Sequence, residues 1–92
     1  MDINFEWDEE KAKINIKKHG ISFEIAAKVF LDENRIEIYD DEHSNIDGDR
    51  FITIGMADEV LFVVYTERRS NIRLISARLA TAKERGLYYG IV

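Results

Sequence analysis

Apolar and polar residues repeat along this chain with two different periods, and the switch between them falls near Arg35. Residues 2–7 alternate as a short strand, with Ile3, Phe5 and Trp7 on one side and Asp2, Asn4 and Glu6 on the other. A 3.6-residue period follows. Ala12, Asn15, Ile16 and His19 fall on one helical face, and Lys11, Lys13, Lys17 and Lys18 cover the rest. Asp8 suits the N-cap, Glu9 and Glu10 complement the positive helix end, and Gly20 suits a left-handed closing residue. Ser22 then caps a second helix over about 23–32, which carries Phe23, Ala26, Ala27 and Phe30 on one face and Ile25 and Val29 on another. The pattern predicts an αα-hairpin with a tight joint.

Beyond Arg35 the period is two. RIEIYD, RFITIGM, VLFVVYT and IRLISA are rich in Ile, Val, Phe and Tyr and are separated by turn-like residues. Ala57 to Glu59 and Glu67 to Asn71 are short enough for hairpin turns, so the last three strands are expected as an antiparallel meander. VLFVVYT is apolar on both parities, which marks the central strand. Asp40 to Asp49, DDEHSNIDGD, reads as the one loop-like segment. TAKE, Thr81 to Glu84, fits a capping box, so a short helix through Tyr89 is expected, weakened by Gly86. The order β-α-α-β-β-β-β-α is an α+β fold, an antiparallel sheet with helices mainly on one face.

Ninety-two residues suffice for one core, hence a single domain over residues 1–92. Without cysteine there is neither a disulfide nor a thiolate metal site. No apolar run reaches membrane-spanning length, and the acidic opening MDINFEWDEE is unlike a signal peptide, so the expected location is cytoplasmic. A net charge of −5 argues against a nucleic-acid partner, but the charge is uneven. Residues 1–47 carry six basic and thirteen acidic side chains, whereas residues 48–92 carry seven basic and five acidic ones. Six of those seven are arginines, whose planar donors suit phosphate.

Two groups of residues are candidates for chemistry. His19 can transfer protons near neutral pH and Lys18 can hold a phosphate, although His19 shares the packed stripe with Ile16. Arg50, Arg73, Arg78 and Arg85 form the second group, with Tyr65 and Tyr88 as companions. In a regular strand Arg73 and Arg78 point to opposite faces, and they converge if the strand ends or bulges near Ala77 or if Arg73 reaches round an edge. The structural alternative pairs one of them with Glu84 or Asp49. His43 stands among Asp40, Asp41, Glu42 and Asp47, but the spacing matches no recognised metal site, so a solvated loop is the simpler reading. Neither a hydrolytic triad nor a glycine-rich phosphate loop is present.

The chain resembles the BrnT family, the toxins of BrnT/BrnA type II toxin–antitoxin systems. The resemblance runs from Phe5 to Ala12, Asn15 to Ala26 and Val29 to Asp32, then through Asp49–Arg50, Val63 to Thr66, Ile72 to Arg78 and Glu84 to Tyr88, with KHGISF and ISAR as its most specific stretches. It implies a small RelE-like ribonuclease that arrests translation, neutralised by a cognate BrnA-type DNA-binding antitoxin through which alone it meets operator DNA. Either a homodimer or a toxin–antitoxin heterotetramer fits, and the apolar tail Gly90 to Val92 suits a covered surface. Two departures are Gly48–Asp49 before Arg50, where a glutamate is expected, and a short last helix.

The resemblance also gives the candidates roles. RNA is cut without metal or other cofactor when the 2′-OH attacks the adjacent phosphorus, and the protein removes that proton, stabilises the phosphoryl oxygens and protonates the leaving 5′ oxygen. Arg50, Arg73 and Arg78 would surround the phosphate and His19 would act as acid or base. Lys18, Tyr65, Arg85 and Tyr88 would bind RNA. Competing readings are an inactive antitoxin-binding corepressor and a plain RNA-binding domain.

Overall fold

Asp8 begins helix α1 (Glu9–His19) by accepting the backbone N–H groups of Glu10 and Lys11, so two of the four orphan donors at the helix start are satisfied. Gly20 ends it at φ 73°, donating its N–H to the Ile16 carbonyl, a conformation that strains any residue with a Cβ. The computed structural model describes residues 3–46 and 48–91; Asp2 of the first strand, Asp47 of the acidic segment and Val92 of the tail lie outside the described residues.

Ile21 and Ser22 lead into α2 (Phe23–Ala27), whose first turn is capped by the Ser22 hydroxyl accepting the Ile25 N–H. Helix α2 is shorter than its pattern predicts, because at Lys28 the chain tightens into a 3₁₀ turn, Lys28–Leu31. That turn buries Val29 and Phe30 while leaving Leu31 exposed. Both α1 and α2 dock on the last strand, and this contact more than any between themselves holds them.

Five strands form one sheet: β1 (Phe5–Glu6), β2 (Ile36–Asn45), β3 (Gly48–Ala57), β4 (Glu59–Arg68) and β5 (Asn71–Leu79), in the order β1-β5-β4-β3-β2. Strands β2 to β5 are an antiparallel meander with β4 at its centre. The sheet as a whole is mixed, not antiparallel, because β1 pairs in parallel with β5 through Phe5–Ile72 and Glu6–Arg73. Alternation over a few residues carries no information about strand direction. Arg69 and Ser70, both at positive φ, make the tight β4–β5 turn, and Asp58 at φ 67° makes the β3–β4 turn.

Of the segment Asp40 to Asp49, expected as a loop, residues 40–45 instead end β2 and residues 48–49 begin β3, with Asp40 opposite Arg50 and Asn45 opposite Gly48. From Asp40 to Asn45 only Asp40 and Ser44 are partly buried, so neither face there needs an apolar row, and the polar sequence hides the strand.

The sheet has two unlike faces. One carries Leu61, Val63, Tyr65, Leu74 and Ala77, which join Phe23, Ala26, Val29 and Phe30 in the main core. Fully burying a side chain such as Phe23 stabilises the fold by about 2–3 kcal/mol. The other face carries Ile52, Ile54, Phe62 and Val64. Helix α3 (Ala82–Tyr89), started by the expected Thr81–Glu84 capping box, covers only one end of it, where Tyr88 packs beside Ile54, Val60 and Ala80. The remainder of this face is open.

Candidate active site on the open sheet face

A single extra residue in β5 decides where its arginines point. Val64 pairs with Ser76 and Tyr65 with Leu74, so Ile75 has no partner and the strand alternation shifts by one there. Residues directly opposite in a ladder share a face. Arg73 opposite Thr66 and Arg78 opposite Phe62 therefore both lie on the open face, since Thr66 and Phe62 alternate with buried Tyr65 and Val63. Arg50 joins them from β3, because its neighbour Phe51 pairs with Tyr65 on the core side and Ile52 pairs with Val64 on the open side.

Two adjoining clefts cross this face and share His43, Arg50 and Ile75. The larger grouping of charge lies in the first, where Lys11, Arg50, Arg68 and Arg73 outnumber Asp49 and Glu67. Positive charge in a concave surface on an acidic protein draws anions to that place. The second cleft continues over Phe62, Val64 and Ser76, which gives the phosphate-favouring region an apolar floor beside it.

The three arginines are not equivalent. Arg73 forms an ion pair with Glu6 of β1 at 2.8 Å. The Asn71 amide and then Arg73 donate to Glu6 and hold its carboxyl below the ordinary glutamate range. Arg78 makes a two-pronged contact with Glu84, 2.8 and 3.0 Å, and its guanidinium lies 3.9 Å from the centre of the Phe62 ring. Glu84 also accepts the Thr81 N–H, so one carboxylate starts α3 and ties it to β5. Arg50 is exposed, and among the described residues its guanidinium has neither ion pair nor hydrogen bond. Its backbone N–H donates to Ser44 Oγ.

Other residues singled out in the sequence are elsewhere. Tyr65 is 6% exposed and lies in the core against Phe30 and Phe51, its hydroxyl donating to Glu37. Burial first, and then Glu37, push its phenol upward. Tyr88 donates its hydroxyl to Asp32 at 2.6 Å, which pushes the phenol up to about 12 and anchors α3. Arg85 donates to the Ala80 carbonyl from α3. His19 and Lys18 end α1, half-buried and exposed respectively, and line neither cleft.

His43 was read from the sequence as part of a solvated acidic loop and not as a cleft residue. It lines both clefts, and its Nδ1 lies 2.9 Å from Asp40 Oδ2. Its place in an acidic stretch pointed towards a cation or solvent, whereas the hairpin places it in the same clefts as Arg50. Among the described residues no three His, Asp or Glu side chains are grouped as metal ligands.

Comparison with known proteins bears on the family and the fold. Residues 7–84 match the family described as the ribonuclease toxin BrnT of type II toxin–antitoxin systems. The fold is similar to the crystal structure, at 1.1 Å resolution, of the Brucella abortus ribonuclease toxin BrnT, with a TM-score of 0.67 and 26% identity over 87% of this chain and 99% of that one. Among curated proteins none matches the chain. The matched segment includes β2 to β5 and both clefts, and on that ground the chain belongs to the BrnT family of ribonuclease toxins of type II toxin–antitoxin systems.

Proposed function

We propose that this chain is an endoribonuclease that cuts RNA without a metal on the open sheet face, arresting translation and growth in the cytoplasm. The observation that carries the reading is that Arg50 and Arg73 line one cleft and that Arg78, which lines neither cleft, shares their face, the unpaired Ile75 bringing Arg73 and Arg78 to the same side of β5. In the reaction the 2′ oxygen attacks the adjacent phosphorus and the bond to the 5′ oxygen breaks. Charge then builds on the non-bridging oxygens. Arg50, exposed and with no internal partner among the described residues, is free to meet that charge. Arg73 adds positive field from the far wall of the cleft and exchanges Glu6 for phosphate when RNA arrives. Arg78 holds Phe62 and Glu84 in place at the other end. His19 lines neither cleft, so this reading gives the proton transfer to another group.

A cognate antitoxin of the BrnA type, itself the DNA-binding partner, neutralises the toxin by presenting carboxylates to the same guanidinium groups, since both anions fit the arginine fork. Exposed Leu87, Tyr89 and Ile91 beyond the open face give it an apolar foothold. Assembly as a homodimer or a toxin–antitoxin heterotetramer is compatible with that surface.

One observation favours the rival reading of an inactive antitoxin-binding corepressor. Arg73 and Arg78 are already satisfied by Glu6 and Glu84. Induction of the chain alone in a bacterial host, beside an Arg50→Ala variant, separates the two. Growth arrest with fragmented RNA from the parent and neither from the variant supports the nuclease. Normal growth from both, with folded protein, supports the corepressor.

A further inference from the structure

We infer that His43, oriented by Asp40, is the general base that takes the 2′-OH proton. The inference rests on the reading of the chain as a metal-independent ribonuclease. Such a reaction needs a proton acceptor beside the phosphate, and the guanidinium groups of the cleft have no lone pair to offer. His43 is the imidazole that lines both clefts together with Arg50.

The chain makes a specific local distortion to place it. In a regular strand Asp40 and His43, three residues apart, would point to opposite faces. The β2–β3 register shifts between Asp40 and Asn45, and the shift brings the two side chains together. Ser44 holds the irregularity: its hydroxyl donates to the Asp40 carbonyl at 2.7 Å and accepts the Arg50 N–H at 2.9 Å. The same serine thus fixes the backbone that carries the dyad and the backbone that carries Arg50.

The contact sets the tautomer. An ionised carboxylate only accepts, so the Nδ1 that faces Asp40 at 2.9 Å carries the hydrogen. The lone pair then resides on Nε2. His43 is exposed, with 60% of its side chain open to solvent, so a substrate can reach that nitrogen. The step balances as follows. Nε2 takes the proton as the 2′ oxygen bonds to phosphorus, the P–O5′ bond breaks, and the departing 5′ oxygen takes a proton from water. Hydroxide left behind accepts the proton of the imidazolium. The products are a 2′,3′-cyclic phosphate end and a 5′-hydroxyl end.

The test uses the purified chain and a short oligoribonucleotide in the presence of EDTA. His43→Ala is expected to cut at least about a hundredfold more slowly, with unchanged thermal unfolding, and added imidazole is expected to restore part of the rate. Asp40→Asn is expected to slow the parent but to cost nothing further in the His43→Ala background, because Asp40 acts through His43. An equal loss in both backgrounds removes Asp40 from the dyad. A His43→Ala rate within about threefold of the parent, or a loss that imidazole leaves untouched, overturns the inference. Parent and Arg50→Ala run alongside: if the parent itself leaves the RNA intact, the nuclease reading falls and this inference with it. If the parent cuts, Arg50→Ala does not, and His43→Ala still does, the inference alone fails.

Discussion

Asn15 of α1 takes the place of a neighbouring strand for Ala77 of β5: its amide donates to the Ala77 carbonyl at 2.9 Å and its oxygen accepts the Ala77 N–H at 3.1 Å. Strand β1 stops beside Arg73, so beyond that point the edge of β5 would stand unpaired. A third bond, to the Ile21 carbonyl at 2.8 Å, fixes the joint after α1. Asn15 is only 5% exposed, so an apolar replacement leaves buried backbone groups without partners. Asn15→Leu is expected to lower unfolding stability by about 3 kcal/mol in a urea titration. A loss below about 1 kcal/mol would show that water reaches the Ala77 backbone once the amide is gone.

The Arg78–Glu84 pair makes a pH-dependent contribution. Hydrogen bonds from Arg78, outweighing burial, together with the Thr81 N–H hold Glu84 below its ordinary 4.5. A carboxyl with a depressed folded-state pKa stabilises the fold at pH above its unfolded value, and that stability is lost as pH falls through the folded value. Glu84→Gln is therefore expected to be less stable than the parent near pH 6, with the difference shrinking as the pH is taken to about 3. Parallel denaturation curves at the two pH values measure this. A constant difference would assign the effect to shape, not charge.

At Gly55 the side chain of Val29 from the 3₁₀ turn comes close against β3. A Cβ there would meet Val29 Cγ1 at 2.6 Å and Arg35 Cβ at 3.0 Å. Both neighbours are held, Val29 by the core and Arg35 by Glu37 and the Phe30 carbonyl. Gly55→Ala is expected to cost about 1–3 kcal/mol, read from thermal unfolding, although glycine is otherwise a poor strand residue. A stabilised variant would mean that the turn moves freely.

Much of the fold was legible because its signals are local. Asp8, Gly20, Ser22 and the Thr81–Glu84 box each act within a few residues, and each forms the cap its sequence predicts. The face of α1 was legible only in part. Ala12 and Asn15 are buried, but Ile16 remains 49% exposed, because a helix lying along a strand edge buries a narrower stripe than one seated on a sheet. The bulge at Ile75 left no trace, since IRLISA is apolar enough on both parities to fit either register. His43 was hidden for a related reason. Its neighbours in sequence are acidic, and its neighbours across the hairpin, Arg50 above all, become visible only when β2 and β3 are paired.

If RNA is cut on the open face with Arg50 meeting the phosphate, cleavage depends on that guanidinium and not on a metal. The most direct measurement is the cleavage of a labelled oligoribonucleotide by the purified chain in EDTA, with Arg50→Ala beside it and the product ends identified. A 2′,3′-cyclic phosphate end from the parent, a loss of roughly a hundredfold or more for Arg50→Ala, and equal unfolding midpoints for the two proteins are expected. Equal cleavage by parent and variant would contradict that dependence, as would cleavage that stops when divalent ions are removed.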